Sequence, residues 1–490
     1  MPQGHMDRLT SVDASFLSNE STTSHMHIGG VTIFEGPPPS YEDLLAHVES
    51  RLHLVPRYRQ KLAVPPIEAG RPFWVDDPQF HLGYHVRHSA LPAPGDEAVL
   101  RRMAARVFSQ RLDRTKPLWE LWLVEGLRKR RFALISKTHH ALVDGVAGVD
   151  IATVLFDVKP VPEPVEADRE WIPSPPPSGA ELAARGLGEL ARSPIGAARR
   201  IAGAVSSPKA AARRVQEAAE GVGEVAWEFA NPAPDVPLNV PIGPHRRYTW
   251  VRGDLGDFKR IKSELGGTVN DVVLCAVAGG LRRWLHARGI RTEGLELRAL
   301  VPVSIRATDG RGDLGNQITL VRGPLPVYIE DPVARLRTVR EAMDGIKASK
   351  KALGAEVISR FNDFAPPTLL AQAARINFST RLFNLIVTNV PGPQIPLYVL
   401  GRELLDVFPV AFLPENHALA IAIMSYNGRI DFGLLGDYDL MEDVALIAEG
   451  IEAEVKQLLE AAAASAERSP GRGQDRRAPA GADQATTSPA

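Results

Sequence analysis

Apolar and polar residues alternate with a period of two along several stretches of the chain and recur with the period of a helix in others. His27–Gly36 (HIGGVTIFEG) and Arg131–His140 (RFALISKTHH) read as strands, because side chains two positions apart share one face of a sheet. Leu295–Arg306 reads as a buried strand. His417–Asp437 reads as a hairpin: apolar residues alternate on both sides of Asn427-Gly428, the dipeptide a type I′ turn favours. Ser40–Leu52 reads as a helix opened by Ser40, with Glu42 and Asp43 in its first turn. A second helix opens at Thr268, three residues before Asp271, a capping-box spacing with Asp in place of Glu. Val273, Val277, Leu281 and Trp284 form its apolar stripe.

Proline interrupts this pattern twice, at Lys159–Gly179 and at Asn231–Arg247, and at that density it breaks helices and central strands. Both stretches read as linkers or surface crossings. The segment between them is rich in Ala, Arg and Glu and is divided by Pro194 and Pro208 into short helical pieces. Its basic face fits either a solvated helix pair or a surface that touches anionic lipid. The expected organisation is an N-terminal domain over 6–160, a connector over 161–244, a C-terminal domain over 245–460 and a tail over 461–490. Both domains mix strand and helix signals, an α/β (α+β) chain. The tail has almost no large apolar residue, so disorder is expected after about Leu459.

Composition adds exclusions. Among 490 residues, 57 Lys and Arg balance 58 Asp and Glu, so the net charge of −1 carries no global footprint for nucleic acid. Cys275 is the single cysteine, which rules out an intrachain disulfide and fits a reducing, cytoplasmic setting. The N-terminal residues lack the apolar core of a signal peptide, and no run of about 18 apolar residues predicts a membrane-spanning helix. Contact with a membrane is therefore expected at its surface.

The candidate chemistry sits at His139 and His140, which end an apolar strand, with Asp144-Gly145 following. Thr138 and His140 share one strand parity, Lys137 and His139 the other, so a regular strand sends the histidines to opposite faces. One can be a base, while the other supports. Gly145 permits a tight turn, and Asp144 can cap the following helix or pair with an arginine. Spacing alone also admits two satisfied histidines and a capping aspartate. No Cys or Glu cluster completes a metal shell nearby, and no G-x-S-x-G elbow marks a nucleophile. Asn270 and Asp271 either only cap their helix or, at its N-terminus, place Asn270 as an oxyanion donor. Pro117, Leu118 and Trp119 read as the start of a strand with an aromatic core anchor, or as part of a channel wall. His25 and His27 share a face and default to packing.

His139-His140-Ala141-Leu142-Val143-Asp144-Gly145 matches HHxxxDG, the motif of the acyltransferase superfamily with the chloramphenicol acetyltransferase-like fold, which includes peptide-synthetase condensation domains. MDRLTSVDASFL (Met6–Leu17), PLWELWLVEGL (Pro117–Leu127), TVNDVVLCAVAGGLRRWL (Thr268–Leu285) and TNVPGP (Thr388–Pro393) stand in matching order, and Pro391, Gly392 and Pro393 of the last read as a rigid turn after the strand Phe383–Asn389. Over about residues 6 to 460 the chain resembles the bacterial bifunctional wax ester synthase/diacylglycerol acyltransferase family; the connector and tail match poorly. The resemblance implies two similar domains, each a mixed sheet flanked by helices, with a channel between them. It implies transfer of a fatty acyl group from acyl-CoA, a substrate rather than a cofactor, to diacylglycerol or a long-chain alcohol, with no bound metal or other cofactor. It makes His140 the base for direct attack on the thioester, His139, Asp144 and Gly145 its support, with Arg306 a candidate partner for Asp144, and Asn270 and Asp271 a substrate-binding pair. The expected location is the cytoplasm, peripheral to a membrane or lipid droplet, with no nucleic-acid partner.

Overall fold

Two six-stranded sheets carry the alternating stretches. The computed structural model describes residues 6–66, 71–143, 155–161, 171–185, 231–305, 317–348 and 378–468. Asp144, Gly145, Arg306 and most of the connector therefore lie outside the described residues. The strands of the first half are β1 (Asp7–Arg8), β2 (His27–Glu35), β3 (Gln60–Ala63), β4 (Phe73–Asp76), β5 (Val86–Ala90), β6 (Trp119–Leu127) and β7 (Arg131–His139). Those of the second are β8 (Arg246–Asp254), β9 (Leu297–Ile305), β10 (Gln317–Leu325), β11 (Leu385–Pro391), β12 (Tyr398–Val399), β13 (Arg402–Val410), β14 (Leu419–Tyr426) and β15 (Arg429–Asp437). The helices used below are α1 (Ser11–Asn19), α2 (Tyr41–Glu49), α3 (Leu82–His85), α4 (Glu97–Ser109), α5 (His140–Val143), α6 (Leu255–Leu265), α7 (Val269–Ala287), α8 (Pro332–Ala348) and α9 (Val444–Arg468).

Local chemistry accounts for the element ends. Ser40 caps α2 by accepting the Asp43 N–H at 3.0 Å. Thr268 and Asp271 complete the capping box of α7, each side chain accepting the other's backbone N–H. Asn427 and Gly428, with φ of 43° and 83°, turn β14 into β15 as a type I′ pair requires.

The sheets do not divide where the sequence divides. One runs in the order β12-β13-β2-β7-β6-β5, so two strands from beyond residue 397 complete a sheet otherwise built before residue 140. The other runs β10-β9-β11-β14-β15-β8. The partition at 6–160 and 245–460 thus differs from the partition into sheets, because β13 finds its partner in β2. Where β13 crosses over, the sheets meet closely: a Cβ on Gly433 of β15 would lie 1.8 Å from the Pro409 carbonyl oxygen. Tyr248 donates its hydroxyl to Phe408 O at 2.8 Å, and Trp250 stacks on Phe408 at 4.4 Å, worth about 0.5–1.5 kcal/mol beyond area burial. One contiguous apolar core runs through both halves.

Three sequence-based boundaries move. α9 continues to Arg468, past the expected onset of disorder, because its alanines favour helix and Ala462 is buried. β7 stops at His139, so His140 opens α5 instead of ending the strand. TNVPGP, expected as a turn after the strand, is strand through Pro391. Proline is tolerated there because β9 pairs with β11 only at Leu385 and Ile386, leaving that edge without a ladder bond to lose.

The junction also buries charge. Arg252 on β8 bonds Glu97 at 2.8 Å and Asp406 at 3.1 Å. Asp431, opposite Arg252 in the ladder, is 1% exposed. Burial, then the neighbouring Asp406, raises its pKa from 3.8 to about 7. A raised acid lets the folded state hold a proton the unfolded chain has released, so its contribution to stability falls as pH rises between those values and is flat above them. Asp431→Asn is expected to unfold at higher urea than the unsubstituted chain at about pH 8, with the gap closing toward about pH 4. An equal gap at both pH values would contradict this protonation.

Candidate functional site

The neighbouring histidines separate at the end of β7. His139 is 1% exposed and pairs across the sheet with His27, their rings 6.1 Å apart. Its Nδ1 accepts the Ala141 N–H at 3.1 Å, which places the ring proton on Nε2, facing Glu20 Oε2 at 3.6 Å. Its backbone N–H donates to Leu118 O at 3.0 Å. His140 is half-buried and opens α5. Phe16 of α1 stacks on its imidazole, and Phe412, two residues beyond β13, meets it edge-on.

Glu20 holds this arrangement. It follows α1, has a side chain only 1% exposed, and takes ion pairs from Arg111, at 3.1 Å, and Arg114. Burial opposes its charge, but contact with His139 and the positive charge of Arg114 overcome it and bring its pKa from 4.5 down to about 2. Burial also pulls His139 below its ordinary pKa, with Glu20 opposing. His27 is pushed well down by burial and by Lys137, and His25 falls to about 4 through burial and Arg246. These three rings are therefore neutral near pH 7.

Backbone strain aims His140. Met26, between His25 and His27, has φ of 51°, a left-handed conformation that costs a side-chain-bearing residue on the order of 1 kcal/mol. Its carbonyl accepts the His140 N–H at 3.0 Å. The segment is pinned by the second half of the chain, through Ser24 Oγ to Leu413 O at 2.7 Å and through Arg246 to Thr23 O.

Pro117, Leu118 and Trp119 are buried. Trp119 donates Nε1–H to Tyr58 O at 2.8 Å and stacks on His85 at 4.8 Å, a core anchor on β6 beside the strand that ends at His139. Asn270, half-buried at the N-terminal end of α7, receives the side-chain amide of Asn389 at 3.5 Å, while Asp271 is committed to the capping box. The Asn270–Asn389 pair belongs to the C-terminal half and the histidines to the N-terminal sheet, so any joint action spans both. Among the described residues no group of three or more His, Cys, Asp or Glu can hold a metal.

Sequence reasoning passed over Glu20, Phe16, Phe412 and Asn389. Glu20 had one local signal: an acid at a helix C-terminus opposes the dipole and needs a partner elsewhere. Phe412 had none, since its contact with His140 depends on where β13 pairs.

Glu20 makes a pH test possible. A depressed carboxylate contributes its stability fully above about pH 4.5 and loses it as the pH falls toward 2. Glu20→Gln is expected to lower the unfolding midpoint at neutral pH and to flatten the acid limb of stability below about pH 4.5. An unchanged acid limb in urea titrations would rule out the clamp.

Comparison with known proteins places this geometry. Residues 9–273 match the family model described as the wax ester synthase/diacylglycerol acyltransferase catalytic domain, and residues 314–459 match its C-terminal domain. Two probable diacylglycerol O-acyltransferases of Mycobacterium tuberculosis are similar to this chain. One is 33% identical over 464 residues, covering 93% of this chain and 96% of its own length. The other is 33% identical over 466 residues, covering 93% and 99%. The solved wax ester synthase/diacylglycerol acyltransferase from Marinobacter aquaeolei VT8 is 26% identical, with a TM-score of 0.66 over 93% of this chain and all of that one. A starter condensation domain of rhizomide synthetase shares the fold at 14% identity, with a TM-score of 0.55 over 94% of this chain and 95% of its own. With both domain models matched in order and relatives aligned over nearly its whole length, the chain belongs to the wax ester synthase/diacylglycerol acyltransferase family.

Proposed function

We propose that the protein is an acyl-CoA-dependent O-acyltransferase that esterifies diacylglycerol, long-chain alcohols or both, with His140 as general base. The observation that carries the reading is the inequality of the two histidines. His139 is buried, its Nδ1 accepting the Ala141 N–H and its Nε2 facing the Glu20 carboxylate at 3.6 Å, whereas His140 is half-buried beside residues from both halves of the chain. A neutral imidazole there takes the proton of the acceptor hydroxyl as its oxygen attacks the thioester carbonyl. The tetrahedral intermediate collapses with cleavage of the C–S bond, and the imidazolium returns the proton to the departing sulfur. No acyl-enzyme is formed. His139 supports the strand end; the bracing expected of Asp144 and Gly145 falls outside the described residues. Asn270, at a helix N-terminus with positive potential, donates to the developing oxyanion. No metal or cofactor enters this scheme.

Both lipid acceptors are poorly soluble, so the reaction takes place at a membrane or droplet surface with the protein bound peripherally on the cytoplasmic side. In support, no described helix is long and apolar enough to cross a membrane.

His140→Ala is expected to lower turnover of labelled palmitoyl-CoA with dioleoylglycerol by about 10²- to 10⁴-fold, the usual worth of a positioned base. Undiminished turnover would refute the base. Asn270→Ala is expected to cut kcat by roughly 10²-fold with little change in KM, as for loss of an oxyanion donor; a pure KM effect would assign Asn270 to ground-state binding. Dioleoylglycerol, hexadecanol and an amine offered in competition identify the acceptor. Preference for the amine would redirect the reading toward condensation-type chemistry.

A further inference from the structure

The ring on the face of His140 is held there by more than packing. Phe16 and the imidazole are stacked with centroids 3.9 Å apart and planes 21° apart. Phe412 closes one side, 5.6 Å from the imidazole and 5.9 Å from Phe16, edge-on to both. Phe16 is 9% exposed and lies one helical turn before Glu20, whose N–H donates to the Phe16 carbonyl at 3.1 Å. Arg114 also donates to Leu17 O at 2.7 Å. Moving the α1 backbone at Phe16 away from His140 would drag Glu20 out of its ion pairs with Arg111 and Arg114.

The face of a phenyl ring is electron-rich and attracts a cation placed within about 6 Å of its centroid. On the reading above, His140 is neutral before reaction and positive while it holds the acceptor proton. The attraction therefore strengthens as the barrier is climbed, and only such a difference accelerates a step.

We infer that Phe16 is a positioning residue for acyl transfer, its ring fixing the plane of His140 and stabilising the imidazolium formed when the acceptor hydroxyl is deprotonated. The inference rests on His140 being the base. Phe16 exchanges no proton and forms no bond; the proton passes from acceptor oxygen to His140 and from His140 to the coenzyme A sulfur.

The test uses the full chain with Phe16→Leu, with progressively fluorinated phenylalanines at position 16, and with His140→Ala in parallel. Fluorination withdraws charge from the ring face while nearly keeping its shape. Phe16→Leu is expected to lose about 3- to 30-fold in kcat with both KM values unchanged. Log kcat is expected to fall stepwise with fluorine number while the melting temperature stays level. A flat fluorine series, with His140→Ala inactive, overturns the inference and leaves the base standing. An active His140→Ala overturns the base and the inference with it. Equal kcat in Phe16→Leu and the unsubstituted chain overturns the inference alone.

Discussion

Phe408, Pro409 and Val410 pair with Val31, Gly30 and Gly29, and this short antiparallel ladder joins the two ends of the molecule. β2 is the middle of the arrangement: β13 lies on one edge and β7 on the other, with His27 opposite His139. Any shift of β13 by one residue would exchange its faces, exposing Phe408 and burying Asp406 differently. It would also withdraw Phe412 from His140. The tight approach at Gly433, the Tyr248 hydroxyl and the Trp250–Phe408 stack all guard that register.

The second determinant is how charge is tolerated in the interior. Lys137 is wholly buried, yet its ammonium has Glu120 at 3.0 Å and the carbonyls of Val107 and Gln110 at 3.1 Å. Glu20 has two arginines. Histidines on the same face answer burial by staying neutral, which costs far less than keeping an unpaired charge. The face behind His139 is thus a buried layer of paired charges and neutral imidazoles, next to the imidazole that Phe412 of the second half meets edge-on. Met26 carries the local strain that this orientation demands, repaid by the hydrogen bond to His140.

Family membership brings these features under one activity. The same architecture serves condensation domains at 14% identity, so the sheets and their crossover specify a scaffold rather than a substrate. What distinguishes one chemistry from another therefore lies in the side chains the scaffold carries and not in the scaffold itself.

Much of the secondary structure was legible because it depends on neighbours in sequence. The strands at His27 and Arg131, the Asn427-Gly428 hairpin and the Thr268–Asp271 cap each follow from side-chain alternation, turn geometry or a capping bond spanning a few residues. Alternation along the stretch ending in His140 likewise predicted unequal histidines, although it is the start of α5 that takes His140 off the strand. Local rules misjudged the ends: an alanine-rich run that looked too polar to order became helix once Ala462 found a core, and proline entered β11 where the ladder had lapsed. The tertiary structure alone decided that β13 joins the first sheet, that Glu20 meets His139 and two arginines, and that rings from opposite ends of the chain enclose His140. Those contacts link residues far apart in sequence, and their energy comes from burial and charge pairing that exist only after the chain has closed.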